Sequence, residues 1–557
     1  MPDQIGELSV ERYQSLAASA SRGDRNALLE RAASLHGSRA EAMATARTFA
    51  ELINHFIERF GKDRRVCLYE SPGRVNLMGM HVDHRGGIVN PVATRQRVRA
   101  VCGRREDDLI HAVSQSGGFG ESEFRISDRL PRQKLRSLED WLNWSEQQSE
   151  ALGGGQDFIN YFACGPLYAA CFIYPWGESF AGADFVLDSD LPPSAGLSSS
   201  SSIVILATDF FLRCNRRGAD DLSLEQTLEV YGHGEWYIGT RGGTGDHAAI
   251  KLGRRGEVLP VITTPQLRPL DPVPAPDGCD IMLYQSGDKA NKSVEPYKTG
   301  FNAPIVAYQV GEMFLAEFLR AHRPGEYEAL LAGRDTLDAK HRRIYLGDVI
   351  SERLLSDQQI YDFLCGLPQR MSKAEVLKRF ADQAESFQAG IHEIDPPPGG
   401  YSVRDVSAFG FGECMRSRDA GRVLAAGDAQ TFADMLNVSQ LADRVTDVSD
   451  EQSAQIKFLE SDTLQQMRRQ RFPIRSIAGD YHVSTANVDR MVSICLDCPN
   501  VLAARLSGAG LGGMLIVLGE KGFDQALDPI LRRRYYEPLD KPLEKIRIEP
   551  SQGAGFI

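Results

Sequence analysis

Apolar positions recur three and four apart through ALLERAASLHG (27–37) and AEAMATARTFAELINHFIERF (40–60), which predicts helices across the first sixty residues. After Lys62 the texture changes. VCLYE (66–70) and IVNPVATRQRVRAVCG (88–103) carry strand signals on either side of a glycine-rich segment. ADFVLDSDLPP (183–193) predicts a strand running into a Pro-marked loop, and SSIVILATDFFLR (201–213) a buried helix. Further on, CDIMLYQ (279–285) and MLIVLGEKG (514–522) have the short apolar runs of core strands. Between them, 303–385 and 420–475 are rich in helix formers, and Pro-Pro-Pro-Gly-Gly at 396–400 marks a loop. No repeat of fixed period occurs. The expected class is α+β: a helical extension over 1–60, a first domain over 61–275, and a second over 276–557 with a helical insertion around 303–400.

Composition narrows the function classes. A chain of 557 residues, 42% hydrophobic and 25% charged, is globular and long enough for two or more domains. No apolar run reaches the roughly 18 residues of a membrane span. The start, MPDQIGELSVERYQSL, lacks the basic stretch and apolar core of a secretory leader, so a cytoplasmic setting is expected. A net charge of −12 argues against a nucleic-acid partner. The ten cysteines are unevenly spaced and read as reduced thiols. Cys495 and Cys498 form an isolated CxxC; without further ligands they read as core residues, not a zinc site.

Three segments carry chemistry. SPGRVNLMGMHVDHRGG (71–87) gathers two Arg, two His, an Asp and four glycines. Glycine admits close backbone approach, and Asp and His suit hydroxyl recognition. A capped turn, or a metal site from His81, Asp83 and His84, are the alternatives; the latter lacks further ligands. LPPSAGLSSSSSIVIL (191–206) is a glycine–serine loop feeding an apolar helix, where free N–H groups and the helix dipole favour an anion. No GxxxxGK[ST] loop occurs. A polar linker is the bland alternative, against which stand the flanking prolines and helix. LSGAGLGGMLIVLG (506–519) is a glycine-rich turn into a strand, or simply a hairpin needing a pliant backbone.

These segments, in this order, resemble the GHMP kinases, and within them the galactokinase-like branch. GRVNLMGMHVDHRGG looks like the galactokinase signature, LPPSAGLSSSSS like the phosphate-binding motif, and SGAGLGGM like the closing glycine motif. YIGTRGGTGDHAAI (237–250) is similar to the segment that holds the catalytic Asp. The resemblance spans about 64–300 and 476–520. It implies a two-domain fold with the active site in the interdomain cleft, ATP and Mg²⁺ as cofactors, Asp246 as base and Arg74 as its partner. Pro193, Gly196, Leu197, Ser198, Ser199, Ser200 and Ser201 match the phosphate loop, in which Ser194 replaces a family glycine. Ser199 and Glu235 match Mg²⁺ positions, Glu235 one residue off the galactokinase spacing.

For the sugar, His81, Asp83, Gly243 and Tyr297 match positions that contact galactose, beside Arg74 and Asp246. Met80 stands where the family has Glu, and His84, followed by Arg85, where it has Tyr. Methionine offers no comparable acceptor to a sugar hydroxyl. With His84 and Arg85 near, a substrate carboxylate becomes attractive. Related galacturonate kinases also lack the Glu, so the implied reaction is phosphorylation of a uronic acid or other galactose-related sugar, at the anomeric hydroxyl. A galactokinase proper, a non-catalytic sugar and ATP sensor, and a GHMP-fold decarboxylase are the alternatives. The intact Asp246, Arg74 and serines disfavour the sensor, and His81 with Asp83 the decarboxylase.

Overall fold

The computed structural model describes residues 7–116, 119–152, 157–192, 195–215, 222–239, 243–288, 297–334, 343–381 and 394–557, with backbone alone for 297–301. The chain opens with β1 (Leu8–Ser9), α1 (Val10–Ser21), α2 (Ala27–His36) and α3 (Arg39–Phe60). Ser9, Asn26 and Ser38 each cap their helix by accepting a backbone N–H, which explains why the helices start there. Their apolar faces, including Tyr13, Phe49, Ile53 and Phe56, pack on Val66, Leu68, Val101 and Val186 of the first sheet.

That sheet contains β2 (Arg65–Asn76), β3 (Pro91–Arg104), β4 (Leu109–Ser114), β5 (Glu121–Arg125) and β6 (Ala183–Ser189). The order is β1-β2-β3-β6-β4-β5, antiparallel except for the parallel pair β4 and β6. The predicted strand 88–103 is split: Ile88–Val89 pairs elsewhere, and buried Asn90 breaks the run by donating to Ser417 O at 3.0 Å. On the opposite face lie α4 (Ile159–Phe172), α5 (Ser199–Cys214), α6 (Leu224–Gly234) and α7 (Gly245–Leu252).

The second sheet orders as β8-β9-β7-β10, from β7 (Cys279–Gln285), β8 (Val501–Leu506), β9 (Met514–Glu520) and β10 (Lys545–Ile548). Alternate side chains of β7 serve two cores. Ile281 and Leu283 join the core of the first sheet, Met282 and Tyr284 a second one with α12 (Ala486–Leu496), so Ile281–Tyr284 is a continuous apolar run. Cys495 and Cys498 lie in that second core.

Between β7 and β8 a helical region builds its own core around α8 (Tyr297–His322), α9 (Leu346–Ser351) and α10 (Val403–Ala425), while α11 (Ala429–Asp443) gives Ala442 to it and Phe432, Met435 and Leu436 to the core of the first sheet. Val82, from the 71–87 segment, is embedded in this core. The final strand β11 (Gly555–Phe556) returns to pair with β2.

Candidate active site

β2 slips register against β3 between Pro72 and Arg74, and a bulge of this kind re-aims the side chain that follows. Gly73 fits there because a Cβ would meet Leu191 Cδ2 at 2.6 Å and Leu197 O at 2.7 Å. The Arg74 N–H donates to Leu197 O at 3.0 Å, tying the strand to the serine loop. Its guanidinium then forms a fork: Nε donates to Asp246 Oδ1 at 2.6 Å and Nη2 to Oδ2 at 2.5 Å, while Nη1 donates to Gly196 O at 2.6 Å.

Asp246 stands in the first turn of α7, where the helix dipole favours a carboxylate. Ser198 Oγ donates to its Oδ2 at 2.7 Å. Burial would raise the Asp246 pKa, but the Arg74 charge and the hydrogen bonds from Arg74 and Ser198 outweigh it and hold the group below its ordinary value. The side chain keeps 41% exposure, so an incoming hydroxyl can reach it. An ionised, oriented and open carboxylate can accept a proton.

The serine run divides by direction. Ser198, in the left-handed region at φ 55°, turns to Asp246. Ser199 and Ser200 are partly exposed in the first turn of α5, and among the described residues their hydroxyls take no hydrogen bond. Ser201 and Ser202 are buried; Ser201 donates to Glu235 Oε2 at 2.9 Å and Ser202 to Pro72 O at 2.7 Å. Ser201 therefore faces the interior and not the loop mouth, because its hydroxyl is taken by Glu235. Leu197 is buried and Gly196 exposed at φ 70°; Pro193 and Ser194 lie outside the described residues.

Buried Glu235 also lies 2.9 Å from His247 Nε2, again through Oε2. Its second oxygen carries no hydrogen bond from the described residues. A spare carboxylate oxygen is of the hard-donor kind that Mg²⁺ takes, whereas the serine hydroxyl beside it, that of Ser201, is already given to Oε2. Oxygen donors of this kind suit the ion. Among the described residues no group of three or more His, Cys, Asp and Glu is arranged to hold a metal by itself.

In the 79–85 loop, Met80 is buried and His81 stacks on Tyr481 with centroids 4.2 Å apart and planes at 8°. His81 Nε2 lies 3.4 Å from Asp443 Oδ1, both buried. Asp83 is half-exposed, 3.0 Å from His84 Nδ1. Burial opposes its ionisation, but His84 holds it below the ordinary carboxylate value. The His84 pKa is itself lowered, by burial and then by Arg85.

Arg85 does not face the pocket. Its guanidinium is buried against Glu312, 2.9 Å away, and lies 5.4 Å over the Tyr308 ring. The carboxylate-binding role expected of it is thereby withdrawn, because Glu312 already neutralises the charge. Gly243 is exposed, with open space where a Cβ would stand. The Tyr297 side chain lies outside the described residues. The 506–513 turn is the β8–β9 hairpin; a Cβ at Gly512 would meet Asp288 Cβ at 2.7 Å, and φ there is 113°. Glu413, Asp443 and Tyr481, which reach this loop from the helical region and beyond, carry no local sequence signal.

Residues 54–104 match the galactokinase galactose-binding signature, and 161–254 match the GHMP kinases N terminal domain. A galactokinase of Roseiflexus sp. (strain RS-1) is 24% identical over 507 residues, covering 91% of this chain and 97% of that protein. One of Clostridium perfringens (strain ATCC 13124) is 22% identical over 467 residues, covering 83% and 88%. Among solved structures, Lactococcus lactis galactokinase complexed with galactose superposes with a TM-score of 0.59 at 19% identity, covering 92% of this chain and all of that one. That likeness is one of fold.

Proposed function

Since the chain belongs to the galactokinase-like GHMP kinases, we propose that it transfers the γ-phosphoryl group of ATP to a hydroxyl of a monosaccharide, the anomeric one by family resemblance. The observation that carries this reading is the Arg74–Asp246 fork joined by Ser198 at the start of α5. Asp246 accepts the proton of the attacking sugar hydroxyl, and Arg74 keeps the carboxylate ionised and offsets charge that develops in transfer. The first-turn N–H groups of α5, with Ser199 and Ser200, receive phosphate oxygens. Ser199 and Glu235 would hold Mg²⁺, which when bound supplies charge neutralisation on the phosphates.

His81, Asp83, Gly243 and Tyr297 make up the sugar side, and the substrate class is a galactose-related sugar. The uronic-acid version now rests on Met80 alone. Arg85 is spent on Glu312, and the lowered His84 pKa makes it a poor cation. Galactose itself therefore stands level with galacturonate.

A coupled ADP-release assay over galactose, N-acetylgalactosamine, arabinose, glucuronate and galacturonate tests the reading. Turnover of one of these, lost in Asp246→Asn, supports it. ATP binding without turnover of any of these would point to a sugar outside the panel or to the sensor.

A further inference from the structure

The loop assigned to the sugar is held by a carboxylate that never faces it. Between Met78 and Asp83 the backbone enters the left-handed region twice, at Gly79 (φ 93°) and His81 (φ 57°). Only glycine fits at 79, since a Cβ would lie 2.1 Å from Ile88 O. The turn aims two successive N–H groups, of Gly79 and Met80, at a single oxygen: Glu413 Oε1, at 3.0 and 2.9 Å. Converging N–H groups make an anion-binding concavity. Here the anion is the chain's own, from the middle of α10.

Glu413 is wholly buried. Its Oε2 accepts from Arg416 Nε at 2.8 Å, and Arg505 Nη1 stands 4.0 Å from Oε1. Arg416 is anchored in turn on Arg475 O at 2.9 Å and Ile477 O at 2.6 Å. Arg505 reaches Ser439 Oγ at 3.3 Å and Asn76 O at 3.5 Å, with the Asp443 charge nearby. Burial opposes the charge on Glu413, and the two guanidiniums restore it. A charge this deep stabilises a fold poorly compared with apolar packing. Its contacts run to loop backbone, independent of the loop's side chains, and so suit it to fix where His81 and Asp83 stand.

On the reading that this loop receives the sugar, we propose that Glu413 is a positioning residue for sugar binding, holding the Gly79–Met80 peptide so that the helical region shapes a site it does not line. Glu413→Gln keeps an acceptor oxygen of the same shape, whereas Glu413→Ala removes it. Charge-assisted bonds exceed neutral ones, so the glutamine variant weakens the grip without emptying the space.

The test pairs amide hydrogen exchange with steady-state kinetics on whichever panel sugar the wild type turns over. In Glu413→Gln the Gly79 and Met80 amides should exchange ~10-fold faster and the sugar KM should rise ~10-fold, as for the loss of about one good hydrogen bond. The KM for ATP and kcat should stay unchanged, and Glu413→Ala, if it folds, should move the same two quantities further. A merely structural role predicts loss of active protein, or kcat and both KM values moving together. Released amides with an unchanged sugar KM, or amides still protected in Glu413→Gln, overturn the proposal. If the wild type turns over no sugar, the kinase reading fails by itself, and the exchange measurement still decides whether Glu413 holds the loop.

Discussion

At the residue scale, Asp246 and Arg74 carry the sharpest consequences. Asp246→Asn removes the proposed proton acceptor while keeping size and one hydrogen-bond acceptor, so kcat should fall about 10²–10⁴-fold with sugar KM little changed. Steady-state kinetics checks this, and a fall in kcat below tenfold would remove Asp246 as the base. The pH dependence follows in sign. Asp246 is held below its ordinary value, so the proposed base is charged throughout neutral pH and is lost as pH falls through its depressed pKa. The acid limb of kcat/KM should therefore lie below the ordinary carboxylate range. In Arg74→Ala burial is no longer offset, and the limb of the residual activity should move to higher pH. A limb that stays in place would mean that the pair does not set the titration. Arg74 and Asp246 were legible because each sits in a short motif of fixed spacing. The fate of Arg85 was not, since its partner Glu312 is 227 positions away and nothing local distinguishes a paired guanidinium from a free one.

At the scale of elements, legibility tracked burial. CDIMLYQ spans the same residues as β7, because its centre, Ile281–Tyr284, is covered on both faces and has no polar interruption. The strand expected over 88–103 failed at Asn90, an amide whose partner Ser417 lies in the distant α10. Helix ends hide similar long-range devices. Lys457 Nζ, buried, donates to Leu441 O at 2.9 Å, Ala442 O at 3.0 Å and Arg444 O at 3.0 Å, and lies 2.6 Å from Asp480. It thus caps the C-terminus of α11, where a cation also answers the helix dipole. Lys457→Met keeps the length of the stem but strips the ammonium from Leu441 O, Arg444 O and Asp480, while Ala442 O still accepts from the Tyr481 and His482 N–H groups. The expected loss is about 3–5 kcal/mol, the range for breaking a buried pair. Urea unfolding followed by near-ultraviolet dichroism reports it, and a loss under ~1 kcal/mol would show that water replaces the ammonium.

For the whole molecule, the two ends of the chain prove to share one strand. β3 occupies one edge of β2, and the other edge takes β1 at Arg65–Val66 and β11 at Tyr69–Glu70. Two strands of two residues each leave no periodic signal, so the sequence pattern shows only the helices between. Ile557 sits in the same apolar cluster as Tyr13, Phe49 and Phe56. The link is polar as well: His36 Nε2 from α2 lies 3.1 Å from Glu70 Oε2, which Arg97 Nη1 also approaches at 2.9 Å. The N-terminal helices are thus the cover of one face of the first sheet. Deleting residues 1–60 should uncover Val66, Leu68, Val101 and Val186 as one apolar patch, and patches of that kind drive association. The truncated chain should appear in the void volume on size-exclusion chromatography or in the insoluble fraction. Deleting 552–557 removes one short strand, and should lower Tm while leaving a soluble chain. A monodisperse 61–557 chain with the Tm of the full protein would mean that the helices contribute nothing to the sheet they cover.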